Sequence, residues 1–323
     1  MRIQAFPISF PPRRFIGSEL MTAALLRALA DAGHRVRVMV GDGAGDWAWH
    51  GIPVSGNALT TMRAADVAVV HAGRSWPGVE YRHLTGARLV MICHNTSEAV
   101  RDDVAGARPD LVVVNSESMR DELDVDALVV NPPAPPVTSL PGGDRIVTLS
   151  LNAMKGGPQF LRVARRLPDR EFLAVQSGYG KQMRAVDGNV EVLEHVPHEE
   201  LAERVWSRAG VFLQLSSSES WGMAAAEAIA HGVPVVAHPT PGLRENLGDA
   251  AVWVDRDDIG GIVRAVEAVR SDPRRRSVAV ARARAAVATS AGQVAGWVAA
   301  IEGLGHGASD QRDGAARGVL AGR

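Results

Sequence analysis

Short apolar runs that end in polar residues recur along the chain, and they limit its fold more than any other feature. In the first half they lie at Met1–Phe6, Val36–Val40, Asp66–Val70, Leu89–Cys93 and Asp110–Val114. Continuous apolar runs of this length are typical of strands buried on both faces, and such strands form parallel sheets covered by helices. The first half is therefore predicted to be an α/β domain.

The second half of the chain restarts the same alternation. Strands are expected at Arg145–Ser150, Glu171–Gln176, Val211–Leu215, Val233–His238 and Ala251–Val254. Helices are expected at Gly157–Leu167, Glu199–Arg208, Met223–His231 and Asp257–Arg270. Strands and helices in succession build right-handed βαβ units, which predict a second doubly wound parallel sheet.

A proline-rich segment separates the two halves. Residues 131–143 carry five of the 18 prolines, and proline fits neither a helix interior nor a central strand. We therefore predict a Rossmann-like domain at residues 1–138, a second one at 144–295, and a C-terminal helix with a loose tail at 296–323. A length of 323 residues suits two domains.

Composition narrows the class of protein. Hydrophobic residues make up 46% and charged residues 22%, as in ordinary globular proteins. The formal net charge of -1 does not favour a nucleic-acid partner. Cys93 is the only cysteine, which excludes an intrachain disulfide and a cysteine-based metal cluster. With no signal peptide or transmembrane run in evidence, we expect a cytoplasmic protein.

Residues 216–236, SSSESWGMAAAEAIAHGVPVV, form the most informative stretch. A strand ends in hydroxyls and Glu219, Gly222 allows backbone to approach a ligand, and a helix begins at Met223. The amino end of a helix suits an anion such as a diphosphate. Glu219 and Glu227 beside a phosphate site would repel it unless they face other groups, so sugar hydroxyls are their natural partners.

These residues resemble a known family. Glu219 and Glu227 have the E-x7-E spacing of retaining GT-B glycosyltransferases, and the stretch looks like the S-x-x-E-G-F-G-L…E-A-M-A-x-G-x-P-V-V motif of their sucrose-synthase-like family 4. Pro241–Glu245 is similar to the G-G-x-x-E segment that follows in that family. Further matches at Lys155-Gly156, residues 17–19 and residues 115–123 extend the resemblance over about residues 1–300.

The resemblance implies a GT-B fold, with two Rossmann-like domains facing across a cleft, and a role for each matching residue. Glu227 would hold the nucleotide ribose, and Glu219 the hydroxyls of the transferred sugar. Lys155 would neutralise the donor diphosphate, and the amides of Gly222 and Met223 would support the phosphate or sugar. Further donor contacts are expected from Trp221, Gly17, Ser18 and Glu245.

The resemblance also implies chemistry without a metal ion or cofactor, because cationic side chains and a helix terminus replace the divalent cation. His94 would lie near the reacting sugar and acceptor, which makes Glu219, Lys155 and His94 the predicted catalytic residues. From the residues alone, His94 and His71 each follow an apolar strand, where a structural histidine is equally common.

One departure from the family concerns the diphosphate. The family has an arginine about five residues before the lysine, where this chain has Ser150. Arg145, Arg184 and Lys181 are open candidates for the second cation. We expect a retaining, metal-independent glycosyltransferase that uses a nucleoside diphosphate sugar. A sugar-nucleotide-binding scaffold without activity of its own and a nucleotide-sugar epimerase are the alternatives; base, sugar and acceptor (lipid, small molecule, glycan or protein) stay open.

Overall fold

The chain forms two compact units. The computed structural model describes residues 1–12, 17–41, 45–56, 64–138, 142–176, 180–184, 188–194 and 196–320, with side chains up to residue 305. Unit 1 contains Met1–Pro133 and Ser290–Arg323, and unit 2 contains Ala134–Thr289. The proline-rich segment holds the first junction. The second junction lies at Thr289, six residues before the predicted end of the second domain.

Unit 1 is built on an eight-stranded sheet. Its strands are β1 (Arg2–Phe6), β2 (Arg35–Met39), β3 (Asp46–Trp49), β4 (Ile52–Ser55), β5 (Val67–His71), β6 (Arg88–Cys93), β7 (Leu111–Val114) and β8 (Leu128–Val129). They lie in the order β3-β4-β2-β1-β5-β6-β7-β8, and every neighbouring pair is parallel except β3 with β4. All five residues of β5 are buried, as expected for a strand covered on both faces.

Helices cover both faces of this sheet. They are α1 (Gly17–Asp31), α2 (Trp76–Thr85), α3 (Glu98–Ala107) and α4 (Glu117–Leu123). Ile3 and Ala5 point to one side and pack with α1, whereas Phe6 packs on the other side with Tyr81 and Met119. Alternate side chains of β1 thus pack into two separate hydrophobic cores.

Unit 2 is built on a six-stranded sheet that is parallel throughout. Its strands are β9 (Arg145–Thr148), β10 (Phe172–Val175), β11 (Val190–Leu193), β12 (Ala209–Gln214), β13 (Val235–Ala237) and β14 (Ala251–Trp253). Their order is β11-β10-β9-β12-β13-β14, which is the Rossmann order 3-2-1-4-5-6. The strand order therefore reverses between β9 and β12.

The helices of unit 2 also cover both faces of its sheet. They are α5 (Gly157–Arg166), α6 (Leu201–Arg204), α7 (Met223–Ala230), α8 (Pro241–Leu247) and α9 (Ile259–Ser271). Along β9, Ile146 belongs to the core with Phe160 of α5, and Val147 belongs to the core with α7 and α8.

A long helix, α10 (Arg274–Leu320), ends the described chain. It belongs to unit 2 up to Thr289 and to unit 1 from Ser290. Trp297 is fully buried in unit 1, and its Nε1 donates a hydrogen bond to the carbonyl oxygen of Leu25 at 3.0 Å. The helical backbone continues to Leu320, where the sequence suggested a loose tail. In the described part of the chain, none of the helices combines the length and apolarity that crossing a membrane requires.

Every predicted strand is confirmed within two residues at each end. The helix expected at Glu199–Arg208 is wrong as a continuous element: α6 lies between 3-10 turns at His198–Glu200 and Trp206–Arg208. Val205, with φ −125° and ψ −63°, breaks the helix. The break lets Val205 and the adjacent Trp206 both enter the core, which neighbouring positions of a regular helix, about 100° apart, do not easily achieve.

Candidate active site

The predicted residues of unit 2 lie where its strand order reverses. Ligands of open α/β sheets bind outside the carboxyl ends of the strands at such a switch point. Residues 149–155 follow β9, and residues 215–222 follow β12, which are the two strands that meet there. The fold thus brings Lys155 and Glu219 to one crevice, although 64 residues separate them.

The loops that follow β9 and β12 are in direct contact with each other. The backbone amide of Ser217 donates to the carbonyl oxygen of Met154 at 2.9 Å. Gly156 has a φ of +88°, and a β-carbon there would lie 2.5 Å from Cβ of Leu215. Only glycine suits this close approach, so it holds the 3-10 turn Ala153–Lys155 against the end of β12.

Glu219 is the centre of a polar cluster. Its Oε1 accepts hydrogen bonds from Nζ of Lys155 at 2.5 Å, Nε2 of Gln214 at 2.8 Å and Oγ of Ser216 at 2.8 Å. The side chains of Glu219 and Lys155 are 13% and 25% exposed, so a ligand can still reach both. Within the described residues, Oε2 of Glu219 has no hydrogen-bond partner. Oε1 of Glu219 is therefore held in place, whereas Oε2 is available to accept a hydrogen bond from a ligand.

Gly222 and Trp221 shape the amino end of α7. Gly222 is the N-cap with a φ of +82°, and the first backbone bond of the helix runs from the amide of Ala225 to its carbonyl. The amides of Met223 and the next residue precede that bond and point out of the helix end. Buried Asn246 fixes this loop, since its Nδ2 donates to the carbonyl oxygens of Trp221 at 2.9 Å and Gly222 at 3.3 Å.

Helix α8 packs against the loop that carries Glu219. A β-carbon on Gly242 would lie 2.3 Å from the backbone of Ser220, and Oγ1 of Thr240 donates to the carbonyl oxygen of Glu219 at 3.4 Å. Glu245 lies in the next turn of α8 and is half-buried, and its carbonyl accepts from Nη2 of Arg282 at 2.5 Å. The segment 241–245 thus packs against the predicted sugar site through Gly242.

Glu227 lies one turn inside α7 and faces a histidine. It is 9% exposed, and its Oε1 lies 3.2 Å from Nε2 of His198. The hydrogen bond to Glu227 raises the pKa of His198 above its ordinary value, and the Glu227 charge adds to the effect. His198 belongs to a short 3-10 turn without any motif, so sequence reasoning missed it.

The structure distinguishes among the three candidates for a second cation. Arg145 opens β9 at the amino edge of the sheet and forms ion pairs with Glu171 at 2.9 Å and with Glu191. It therefore lies at the opposite end of β9 from Lys155, and its candidacy is wrong. Lys181 and Arg184 are exposed, and Gln182 between them forms an isolated antiparallel bridge with Asn152 in the loop after β9.

Arg256 was not predicted and lies beside the Lys155 turn. Its Nη2 donates to the carbonyl oxygen of Ala153 at 3.1 Å, and its backbone amide donates to Nδ1 of His238 at 3.3 Å. Ser150, where the family has arginine, is buried, and its Oγ accepts from the amide of Asn152 at 3.1 Å. The guanidinium of Arg256 thus lies against the Lys155 turn, whereas position 150 carries a buried hydroxyl.

In unit 1, the predicted residues Gly17 and Ser18 open α1. The adjacent Glu19 is almost fully buried and accepts hydrogen bonds from Oγ of Ser18 at 2.6 Å and Oγ of Ser9 at 3.1 Å. Gly17 is exposed. The start of α1 therefore carries a buried carboxylate held by two hydroxyls.

His94 follows β6 and contacts a second histidine. Its ring lies 4.7 Å from that of His71, at 74°, and Oγ1 of Thr22 lies 2.6 Å from Nε2 of His71 and 3.4 Å from Nε2 of His94. Burial lowers the pKa of His71 to about 4. Desolvation, with the charge of His71, lowers the pKa of His94 well below its ordinary value. Thr22 carries no motif and was missed.

Across the described ranges, no group of three or more His, Cys, Asp or Glu side chains is arranged to hold a metal ion. The expected metal independence stays a prediction. Glu219 and Glu227 each have one carboxylate oxygen in contact with a cationic or ionisable partner, Lys155 for Glu219 and His198 for Glu227.

Unit 2 matches a known family of domains. Residues 147–286 match the family model described as Glycosyl transferases group 1. A stretch of 130 residues is 36% identical to the D-inositol 3-phosphate glycosyltransferase of Thermomonospora curvata. The match covers 38% of this chain and 28% of that protein, so it spans little more than a quarter of the relative. Both matches are to glycosyltransferases.

Solved structures share the fold over nearly the whole chain. Sucrose-phosphate synthase from Thermosynechococcus elongatus has a TM-score of 0.69 at 16% identity and covers 100% of both chains. Anabaena HepE, solved in complex with UDP-glucose, has a TM-score of 0.71 at 15% identity and covers 93% of this chain and 100% of its own. At these identities the likeness shows the fold, and the predicted pair of Rossmann-like GT-B domains is confirmed.

Proposed function

We propose that this protein is a retaining glycosyltransferase of the sucrose-synthase-like family 4, which transfers a sugar from a nucleoside diphosphate without a metal ion. The observation that carries the proposal is the contact between Lys155 and Glu219 at the switch point of unit 2. In such a donor the sugar and the diphosphate are joined by one bond. The residue for the sugar and the residue for the diphosphate must therefore be neighbours, as these two are.

Glu219 is suited to hold sugar hydroxyls. Its Oε1 is held by Lys155, Gln214 and Ser216, which fixes the orientation of the carboxylate. Its Oε2 is then directed at the ligand and accepts from a hydroxyl. Charged acceptors make hydrogen bonds about twice as strong as neutral ones.

The diphosphate is assigned to Lys155 and to the amino end of α7. The amides of Gly222 and Met223 and the partial positive charge of the helix end face the developing charge of the leaving group. Glu227 takes the ribose hydroxyls through the oxygen that His198 does not contact. The nucleoside thus lies toward His198, and the sugar lies toward Lys155.

Transfer proceeds on one face of the sugar. The bond between the anomeric carbon and the phosphate oxygen breaks as a bond forms from the acceptor oxygen to the same carbon. The acceptor proton moves to the departing phosphate, and the anomeric configuration is retained. Acceptor binding is assigned to unit 1, with His94 beside the reacting oxygen.

The test is product formation from UDP-, GDP- and ADP-sugars, with UDP-glucose first because HepE was solved with it. Released nucleoside diphosphate is quantified, and the anomeric configuration of the product is read by NMR. We expect retention, activity that survives EDTA, and a loss of turnover in Lys155→Ala. Arg264→Ala, which removes an exposed charge from the same unit, is the control.

Three outcomes would contradict parts of the proposal. Inversion of configuration contradicts the retaining mechanism, and loss of activity with EDTA contradicts metal independence. Donor binding without any product would favour the scaffold alternative, which the replacement of the family arginine by Ser150 supports.

A further inference from the structure

Three side chains form a hydrogen-bonded cluster at the switch point of unit 1. Thr22 comes from α1, His71 ends β5, and His94 follows β6. The order of the sheet reverses between β1 and β5, so His71 lies at the carboxyl edge where a ligand of this unit would bind. Thr22 and His71 are each 1% exposed, and His94 is only partly buried.

Few protons are available for the hydrogen bonds within this cluster. The pKa of His71 is lowered to about 4, and the pKa of His94 also lies well below its ordinary value, so both rings are neutral at pH 7. A neutral imidazole has one nitrogen that donates and one that accepts. The hydroxyl of Thr22 has one proton, and in the described structure its hydrogen-bond partners are the two Nε2 atoms, at 2.6 Å and 3.4 Å.

This arrangement couples the two rings. If the Thr22 hydroxyl donates to His71, then Nε2 of His94 must carry a proton to fill the second contact. If it donates to His94, then Nε2 of His94 is bare and His71 carries the proton. Nδ1 of His71 is buried and has no hydrogen-bond partner among the described residues, and a buried N–H without an acceptor is rare in proteins. The second arrangement is therefore favoured, in which Nδ1 of His94 carries the proton. Nδ1 of His94 makes no hydrogen bond to any described residue.

We propose that Thr22 and His71 are positioning residues that hold His94 in a single ring tautomer and direct its Nδ1 toward a ligand. The effect of this positioning on catalysis rests on the proposed function, in which His94 lies beside the sugar and acceptor. A fixed tautomer gives that nitrogen one role, as donor or acceptor, whereas a free ring would divide its population between the two.

The tautomer is tested without any substrate. In protein labelled with ¹⁵N-histidine, the ring nitrogens of His94 are assigned with the His94→Asn variant. We expect the two widely separated shifts of one tautomer. Thr22→Val keeps the shape and removes the hydroxyl, and it should move both shifts toward an average. Thr22→Ser should keep them separated.

A matched control shows whether loss of any hydroxyl has this effect. Thr85 donates through Oγ1 to the carbonyl oxygen of Tyr81 at 2.7 Å in α2 of the same unit, and Thr85→Val should leave the His94 shifts unchanged. Averaged shifts in the wild type, or unchanged shifts in Thr22→Val, would overturn the proposal. Hydrogen exchange of α1 and β5 confirms that the variants are folded.

The kinetic arm separates the two hypotheses. Thr22→Val should lower kcat by about tenfold or more with donor affinity unchanged, because a wrong tautomer impairs the step and not binding, and Thr22→Ser should restore it. A single hydroxyl-dependent tautomer in a protein without turnover would contradict the proposed function alone. Turnover with averaged His94 shifts would contradict the positioning role alone.

Discussion

Adding a β-carbon to Gly222 should destabilise unit 2 by about 2–5 kcal/mol. The left-handed φ of +82° accounts for about 1–2 kcal/mol in a residue with a side chain. The new Cβ would lie 2.3 Å from Cδ2 of Leu243, where ordinary contacts are 3.4–4 Å. Leu243 is fully buried and cannot swing away, so this overlap adds about 1–3 kcal/mol.

The steric part of this value can be isolated in a double-mutant cycle. Leu243→Val removes the δ carbon that the new Cβ meets. In that background, Gly222→Ala should destabilise by only about 1–2 kcal/mol, which is the backbone contribution. Because the two units need not unfold together, unfolding in urea is followed by hydrogen exchange of peptides from residues 209–250. Equal destabilisation in both backgrounds would refute the contact with Leu243 and the geometry assigned to the amino end of α7.

Two further predictions concern pH. Burial holds the pKa of His71 near 4, against 6.5 when unfolded, so the unfolded chain takes up the proton first. The protonation of His71 should remove about 3 kcal/mol from the stability of unit 1 between pH 6.5 and 4. In urea titrations at each pH, His71→Asn should therefore lose less stability over this range than the wild type, by about this amount. The pKa of His198 is raised by Glu227, so their ion pair stabilises fully below pH 6.5 and is lost as the pH rises through the raised value. In Glu227→Gln, an NMR titration should give a lower pKa for His198 than in the wild type, because the hydrogen bond to the carboxylate and its negative charge are both lost; an unchanged value would contradict the contact.

The strands of the two sheets were predictable because most are buried on both faces. Val67–His71, with all five residues buried, has an unmistakable apolar pattern. The missed strands are short or lie at sheet edges. Asp46–Trp49 is an antiparallel edge strand. Val190–Leu193 is half-buried, and its apolar run is interrupted by Glu191. Weak burial leaves little signal in the residue pattern.

The candidate site was predictable in its residues and not in its contacts. Glu219 and Lys155 were found by motif, but their pairing depends on β9 and β12 being neighbours, which is a property of strand order. Gln214 is the last residue of β12 and His198 lies in a short 3-10 turn, and neither belongs to a motif. Arg145, Lys181 and Arg184 were the candidates for the second cation, whereas Arg256, which follows the edge strand β14, contacts the Lys155 turn.

The central claim is that Glu227 and its surroundings in unit 2 bind the nucleotide of a sugar donor. It is tested most directly by calorimetric titration of the wild type, Glu227→Gln and Glu203→Gln with UDP, GDP and ADP. Glu203 is an exposed acid in α6 and serves as the control. One nucleotide should bind the wild type and the control equally, with affinity about tenfold to 100-fold lower in Glu227→Gln, as expected for loss of a charged hydrogen bond. Equal affinity in Glu227→Gln, or no binding of any of the three by the wild type, would contradict the account.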